Sequence, residues 1–270
     1  MDLSLNLSQR SRAEARPRRL VTITFDLWNT IYSADGPTGA VVRSARMRLV
    51  KQALAQHGLQ PGEPEVEAAY RSGYDAYMAA WTSGRHFGAR EQVLHILSYF
   101  ELPEAAHDQE VIKETAQAIE ETARLCPPTL LPGVREVIPA LAAAGYRLGL
   151  ISDTSLTPGR VLREFLEKDG LAEHFTALTF SDETGFPKPD PRMFRLTLAS
   201  LGCEEDPAVA PGEAAHIGDT PRTDIAGAQA VGMIAVRYTG VNDHQEPPPA
   251  DFVIGHHREL PELLLRLEKR

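Results

Sequence analysis

The chain has 270 residues, of which 43% are hydrophobic and 24% are charged, and its formal net charge at pH 7 is -9. The length favours about two domains, or one domain with a large insertion. The acidic balance argues against nucleic acid as a partner, because phosphate contacts need a basic face, and no apolar run approaches the roughly 20 residues that cross a bilayer. Cys126 and Cys203 form neither a disulfide framework nor a metal-binding spacing, so we expect a cytoplasmic protein.

The N-terminal part of the chain contains a polar segment and then a strand. Residues 1–19 are rich in arginine and lack the apolar stretch of a secretory signal, which predicts a disordered tail. Residues 20–25 are largely apolar and β-branched, as expected of a buried parallel strand. Asp26 follows this strand directly.

The segment from about residue 39 to residue 124 has a helical apolar pattern broken by glycine and proline, and nothing in it alternates with period two. It predicts an all-helical insertion at 36–126 in an α/β core formed by 20–35 and 127–270. One stretch carries aromatic residues on a single helix face, and we expect at least three of them to pack within the insertion. These residues are Tyr70, Tyr74, Tyr77 and Trp81.

A glycine-flanked loop at residues 83–88 follows this aromatic stretch. Such a loop can deliver Arg85 or His86 to a substrate when a lid closes. Histidine side chains in general titrate near pH 6.5, which suits a proton donor, so His86 is a candidate for that role. The alternative is an exposed loop histidine without a catalytic role.

Strands and helices alternate in the remainder of the chain. The predicted strands are 146–151, 177–180, 214–217, 233–237 and 251–254, and the predicted helices are 133–145, 158–168, 191–201, 223–231 and a closing C-terminal helix. This alternation predicts an α/β fold with a doubly wound parallel sheet.

Polar residues follow four of the predicted strands, where open parallel sheets bind their ligands. They are Asp26, Ser152 with Asp153, Lys188, and Asp219 with Asp224. Carboxylates such as Asp26 and Asp219 are oxygen ligands that suit Mg²⁺, while a lysine and a hydroxyl can hold a phosphoryl group. Taken singly, each of these residues also fits a helix cap, a turn or a solvated loop.

Four stretches of the sequence resemble the motifs of the haloacid dehalogenase superfamily, in the order of that family. They are residues 25–30 (FDLWNT), 150–153 (LISD), 185–191 (GFPKPDP) and 216–224 (HIGDTPRTD). The resemblance implies a Rossmann-like core with a helical cap between the first two motifs. It also implies a Mg²⁺-dependent hydrolase of a small phosphorylated metabolite, as a monomer or homodimer, with Asp26 as the nucleophile that forms an aspartyl intermediate.

The same resemblance implies roles for the other motif residues. Mg²⁺ would be held by Asp26, Asp219 and the backbone carbonyl of Trp28, and Asp224 would support the water shell of the metal or position Lys188. Ser152 and Lys188 would hold the phosphate. Asn29, Thr30 and Asp153 belong to the same motifs and are expected at the substrate site, as are Arg85 and His86 from the cap.

Trp28 departs from the pattern of the family's phosphatases, which carry a second aspartate two residues after the nucleophile. An indole has no titratable proton, so Trp28 cannot act as a general acid or base. Three interpretations remain: a phosphohydrolase that acts on a good leaving group or takes a proton from the cap, a 2-haloacid dehalogenase, and a relative that binds a phosphorylated ligand with little catalysis.

The fourth motif favours the first interpretation. Metal-independent dehalogenases of the family have small polar residues where this chain has Gly218 and Asp219, and asparagine where it has Asp153. An additional carboxylate beside the nucleophile is repelled unless a cation lies between them, so Asp219 indicates Mg²⁺. Phosphonate-cleaving relatives use a cap lysine, and neither Lys51 nor Lys113 lies in a matching motif.

Overall fold

The computed structural model describes residues 20–33, 38–203, 213–243 and 245–268. The predicted tail at 1–19 and the predicted boundary between residues 35 and 36 lie outside these ranges. Within them, no helix combines the length and the apolar character that a membrane crossing requires.

The core of the protein is a parallel sheet of six strands. The described strands are β1 (Thr22–Phe25), β2 (Tyr32–Ser33), β3 (Thr129–Leu130), β4 (Arg147–Ser152), β5 (Phe175–Phe180), β6 (Ala214–Gly218), β7 (Ile234–Tyr238) and β8 (Phe252–Ile254). The sheet has the order β5-β4-β1-β6-β7-β8, and each neighbouring pair is parallel. The predicted parallel sheet is therefore confirmed.

Helices cover the sheet and also form a separate group between β2 and β3. The described α-helices are α1 (Thr38–Gln56), α2 (Glu63–Thr82), α3 (Ala89–Tyr99), α4 (Gln109–Glu121), α5 (Val134–Ala143), α6 (Gly159–Lys168), α7 (Ser181–Thr184), α8 (Pro191–Ser200), α9 (Ala226–Ala230) and α10 (Leu260–Glu268). One turn of π-helix, Pro221–Ile225, leads into α9.

The sheet is buried on both faces, because successive side chains of a strand point to opposite sides. In β4, for example, Leu150 belongs to the apolar cluster formed with α5, α6 and α10, while Ile151 belongs to the cluster formed with α8 and α9. This arrangement accounts for the nearly continuous apolar sequence of the strands.

The helices α1 to α4 bury their apolar faces against one another in a third cluster that includes Leu54, Val93 and Ile119. The chain enters and leaves this helical segment through β2 and β3, which pair antiparallel with Tyr32 opposite Leu130. The segment is helical as predicted, and its assignment to a cap domain over 36–126 stays a prediction.

The pairing register determines which residues meet at the edge of the sheet. Phe25, the last residue of β1, pairs with Leu150 in β4 and with Ile217 in β6. β1 ends at this level, while β6 continues to Gly218 and β4 to Ser152, so the residues that follow these three adjacent strands leave the same edge of the sheet. Asp26 is the central one of them.

Candidate active site

Lys188 lies where the carboxyl ends of the central strands converge. It belongs to the loop between α7 and α8 and is only 2% exposed. Its Nζ donates hydrogen bonds to Asp26 Oδ1 at 2.5 Å, to Asp224 Oδ1 at 2.6 Å and to the backbone oxygen of Ile151 at 3.0 Å. Burial alone would lower the pKa of Lys188, but Asp224, Asp26 and Asp153 raise it above its ordinary value. Lys188 therefore stays positively charged.

Three buried carboxylates, Asp26, Asp219 and Asp224, each offer an oxygen, and these oxygens lie within 4.8 Å of one another. Burial raises the pKa of Asp26 well above its ordinary value, although Lys188 opposes it, and burial with the charge of Asp224 raises the pKa of Asp219 to about 6. A cation between the carboxylates removes their mutual repulsion. Because carboxylate oxygens are the ligands that Mg²⁺ prefers, the residues present fit a magnesium ion.

The carboxylates of Asp224 and Asp26 differ in the number of hydrogen bonds that their oxygens accept. Asp224 Oδ1 binds Lys188 and lies 3.3 Å from His216 Nε2, while Oδ2 accepts the backbone N–H of Thr220 at 3.0 Å. Burial would raise the pKa of Asp224, but Lys188 and His216 hold it below its ordinary range. No residue of the described ranges donates a hydrogen bond to Asp26 Oδ2. Asp224 is therefore suited to orienting its neighbours, whereas Asp26 has one carboxylate oxygen that is available to react.

His216 is fully buried in β6 and was not among the site residues predicted from the sequence. Its Nδ1 lies 2.8 Å from Thr24 Oγ1 in β1, and its Nε2 faces Asp224. Burial lowers the pKa of the imidazole, although Asp224 opposes the shift. Gly218 lets Asp224 come close, because a Cβ at this glycine would lie 2.4 Å from Asp224 Cγ. A histidine in an otherwise apolar strand was the available signal in the sequence.

The loop after Asp26 is tightly turned. Asn29 has a φ of 57°, in the left-handed region that asparagine tolerates better than most residues, and its N–H donates to the backbone oxygen of Tyr32 at 2.6 Å. Thr30 is buried, and its hydroxyl has no hydrogen-bond partner in the part of the chain that the structure describes. Trp28 is half-buried, packs against the core and borders a cavity of about 250 Å³.

Asp153 connects this region to the helical segment. Its Oδ1 accepts the backbone N–H of Lys188 at 2.8 Å, and its Oδ2 accepts the indole N–H of Trp81, on α2, at 2.7 Å. Burial raises the pKa of Asp153, although Lys188 opposes it. Ser152, which precedes it and is fully buried, donates its hydroxyl to the backbone oxygen of Asp153 at 3.0 Å.

Arg85 and His86 lie apart from these contacts. Arg85 is exposed and donates from Nε to Ser83 Oγ at 3.1 Å. His86 is half-buried, and its Nδ1 has no hydrogen-bond partner among the described residues. The structure gives neither residue a contact with Asp26 or Lys188 within the described ranges, so their role at the substrate stays a prediction.

The aromatic face of α2 divides between two environments. Tyr70 packs against the helical cluster, and Tyr77 packs edge to face on Phe87, as predicted. Tyr74 is 57% exposed, and Trp81 binds Asp153 outside the helical segment. Tyr70, Tyr77 and Trp81 thus pack within the insertion as expected, because Trp81 stacks on Tyr77, while the indole N–H of Trp81 also reaches the core.

Comparisons with known proteins agree with this architecture. The sequence model of the haloacid dehalogenase-like hydrolases matches residues 20–232. A phosphoserine phosphatase from Thermus thermophilus is 35% identical over 160 residues, which are 59% of this chain and 60% of that relative's length. This chain thus matches less than two thirds of that relative.

Two solved structures have a similar fold. The HAD phosphatase from Thermococcus onnurineus has a TM-score of 0.60 at 22% identity, with 91% of this chain and 98% of that chain covered. The 2-haloacid dehalogenase from Pseudomonas syringae has a TM-score of 0.63 at 24% identity, with 92% and 99% covered. At these identities the two structures support the fold and do not separate one reaction from the other.

Proposed function

The chain belongs to the family of haloacid dehalogenase-like hydrolases, and we propose that it is a Mg²⁺-dependent phosphohydrolase of a small phosphorylated metabolite with Asp26 as its nucleophile. The observation that carries the proposal is the arrangement around Asp26. One carboxylate oxygen binds Lys188, and the other receives no hydrogen bond from the described residues. The phosphatase name of the Thermus relative supports the same class of reaction.

The proposed reaction has two steps. Asp26 Oδ2 attacks phosphorus, an O–P bond forms, and the bond to the leaving group breaks with its electron pair going to the leaving oxygen. A water molecule then attacks the aspartyl phosphate, which releases inorganic phosphate and restores the carboxylate. Lys188 and the Ser152 hydroxyl would hold the phosphoryl oxygens, whose charge must be balanced in the transition state.

A magnesium ion, when bound, supplies positive charge next to the phosphoryl oxygens. Asp26, Asp219 and the backbone carbonyl of Trp28 would hold it. Asp224 would act on Lys188, which it contacts at 2.6 Å. The helical segment 36–126 would serve as the cap and contribute substrate specificity, because the motif residues Asp26, Ser152 and Lys188 would contact only the phosphoryl group.

Trp28 restricts the leaving group. An indole cannot give the leaving oxygen a proton, so the proposed substrates are those whose leaving group departs readily as an anion, such as acyl or aryl phosphates. For other substrates, the proton would come from the cap, where His86 and Arg85 are the candidates that the sequence offers.

A 2-haloacid dehalogenase is the second candidate. A halide leaves without a proton, so the absence of a general acid at Trp28 would not slow this reaction. The buried carboxylate Asp219 counts against it, since an anionic haloacid would meet additional negative charge. A relative that only binds a phosphorylated ligand is the third interpretation.

One assay separates the three. We would measure phosphate release from p-nitrophenyl phosphate with Mg²⁺ and with a chelator, and chloride release from 2-chloropropionate in parallel. Mg²⁺-dependent phosphate release that is lost in Asp26→Asn, with the exposed Asp75→Asn as control, supports the proposal. Chelator-resistant chloride release would establish the dehalogenase. Stabilisation by phosphate without either turnover would establish a binding protein.

A further inference from the structure

Arg222 lies at the junction of the fourth motif and the helical segment. It is in the π-helical turn, three residues after Asp219 and two before Asp224. Its guanidinium carbon lies 3.7 Å from the ring centroid of Trp81, the residue that binds Asp153. Asp153 also accepts the backbone N–H of Lys188, so Trp81 connects the guanidinium group to the loop that carries this lysine.

Arg222 differs from the other arginines that lie over aromatic rings. The others also form an ion pair: Arg43 lies over Tyr70 and pairs with Glu67, Arg163 lies over Phe180 and pairs with Glu183, and Arg192 lies over Phe186 and pairs with Asp190. For Arg222, no carboxylate of the described ranges lies within 4.0 Å. Among these four stacked arginines, Arg222 is the one whose N–H donors have no anionic partner in the part of the chain that the structure describes.

Stacking fixes the plane of a guanidinium group and leaves the N–H donors at its edge available. A planar pair of such donors matches the two oxygens of a carboxylate, which they can bind simultaneously. Among the described residues, Asp153 and Asp224 already use both carboxylate oxygens, for Trp81, Lys188 and Thr220, so neither has an unused oxygen for Arg222.

We propose that Arg222 binds a carboxylate on the leaving-group side of the substrate, so that the substrates are phosphate esters or anhydrides of small carboxylated compounds. The inference rests on the proposed function, because it needs a substrate whose phosphoryl group is held at Asp26 and Lys188. Trp81 acts as a positioning residue for the guanidinium group.

The test compares two aryl phosphates as substrates of the 270-residue chain, namely 3-carboxyphenyl phosphate and its neutral amide, 3-carbamoylphenyl phosphate. We expect the wild type to prefer the carboxylate in kcat/KM by roughly 10- to 100-fold, the range of a charge-assisted hydrogen bond. Arg222→Gln should reduce this ratio towards one, mainly through KM, and Arg222→Lys should retain part of it. Arg192→Gln, which removes a stacked but paired arginine, should leave the ratio and the activity unchanged.

The outcomes separate the inference from the proposed function. If the wild type has no preference, or if Arg222→Gln lowers turnover of both esters equally, Arg222 only holds helix α2 and the inference is wrong. If p-nitrophenyl phosphate and both esters resist hydrolysis, the proposed function is wrong, and binding of the two esters is compared by calorimetry. A carboxylate preference in binding that disappears in Arg222→Gln would still support the carboxylate site, and equal binding would reject it.

Discussion

The indole N–H of Trp81 donates a 2.7 Å hydrogen bond to Asp153 Oδ2. This bond joins helix α2 of the helical segment to the loop after β4, next to Ser152. Because the other oxygen of Asp153 accepts the backbone N–H of Lys188, one half-buried carboxylate orients a residue from each part of the protein. The position of α2 and the position of the lysine loop are thus coupled through a single side chain.

Replacement of Trp81 by phenylalanine should weaken this connection. Trp81→Phe keeps an aromatic ring beside Tyr77 but leaves a buried carboxylate oxygen without its donor, which costs about 1–3 kcal/mol. We expect the free energy of unfolding, measured by urea titration, to fall by about this amount. Tyr74→Phe, an exposed substitution on the same helix, should change it by less than about 0.5 kcal/mol. An unchanged unfolding energy in Trp81→Phe would mean that the bond contributes no net stability.

A carboxyl group at position 28 should restore general acid catalysis. In Trp28→Asp the new group would be two residues from Asp26, and positioned proton donors contribute roughly 10²–10⁴ in rate. The gain should appear for alkyl phosphates, whose leaving groups need a proton, and be small for p-nitrophenyl phosphate. We would compare kcat for the two substrate types in Trp28→Asp and in Trp28→Asn, which has the same size but no titratable proton. Equal changes in the two variants would show that the proton is irrelevant.

Magnesium should stabilise the folded protein through Asp219. A ligand that binds only the folded state adds about 2.7 kcal/mol when its concentration is 100 times Kd, so Mg²⁺ should raise the Tm of the wild type. Asp219→Asn should abolish most of this rise, because it removes a charged ligand while retaining the size of the side chain. Thermal unfolding with and without Mg²⁺ measures the effect, with the exposed Asp75→Asn as control. A rise of the same size in Asp219→Asn would place the ion elsewhere.

The sequence was sufficient to predict the parallel sheet, because each strand is a short apolar run followed by polar residues and a helix. It was not sufficient for features that depend on spatial neighbours. Trp81 and Asp153 are 72 residues apart, and nothing in the spacing of the α2 aromatics distinguishes the ring that reaches the core. The two-residue strands β2 and β3 are too short to have a period.

The residues around Asp26 illustrate the same limit. The motifs predicted that Asp26, Lys188 and Asp219 lie at one edge of the sheet, since parallel strands end on the same side. They did not predict the contact of His216 with Asp224, because a buried histidine in a strand has no preferred partner in sequence. The contact forms because the π-helical turn Pro221–Ile225 brings Asp224 back to β6, where Gly218 leaves room for its carboxylate.

His257 offers a test of stability that is independent of the acidic cluster. Its side chain is fully buried, stacks on Tyr238 with ring centroids 4.5 Å apart, and its Nε2 lies 2.6 Å from the backbone oxygen of Thr30. The imidazole therefore supports the loop that follows Asp26. Burial lowers the pKa of His257 to about 4, although the bond to Thr30 opposes the shift.

The lowered pKa of His257 predicts a contribution to stability that is lost as the pH falls. In the unfolded chain the imidazole has a pKa of about 6.5, so between pH 6.5 and about 4 the unfolded state binds a proton that the folded state does not. The contribution of His257 to the free energy of unfolding should therefore fall through this window, by about 2 kcal/mol from about pH 7.5 to about pH 5, while the raised pKa values of Asp26 and Asp219 act in the opposite direction. His257→Gln has no proton to gain and can still donate to Thr30. When the free energy of unfolding is measured by urea titration at about pH 7.5 and about pH 5, its change between the two pH values should differ from that of the wild type by about 2 kcal/mol, in favour of the variant at the lower pH. Parallel pH profiles of the wild type and the variant would contradict the lowered pKa.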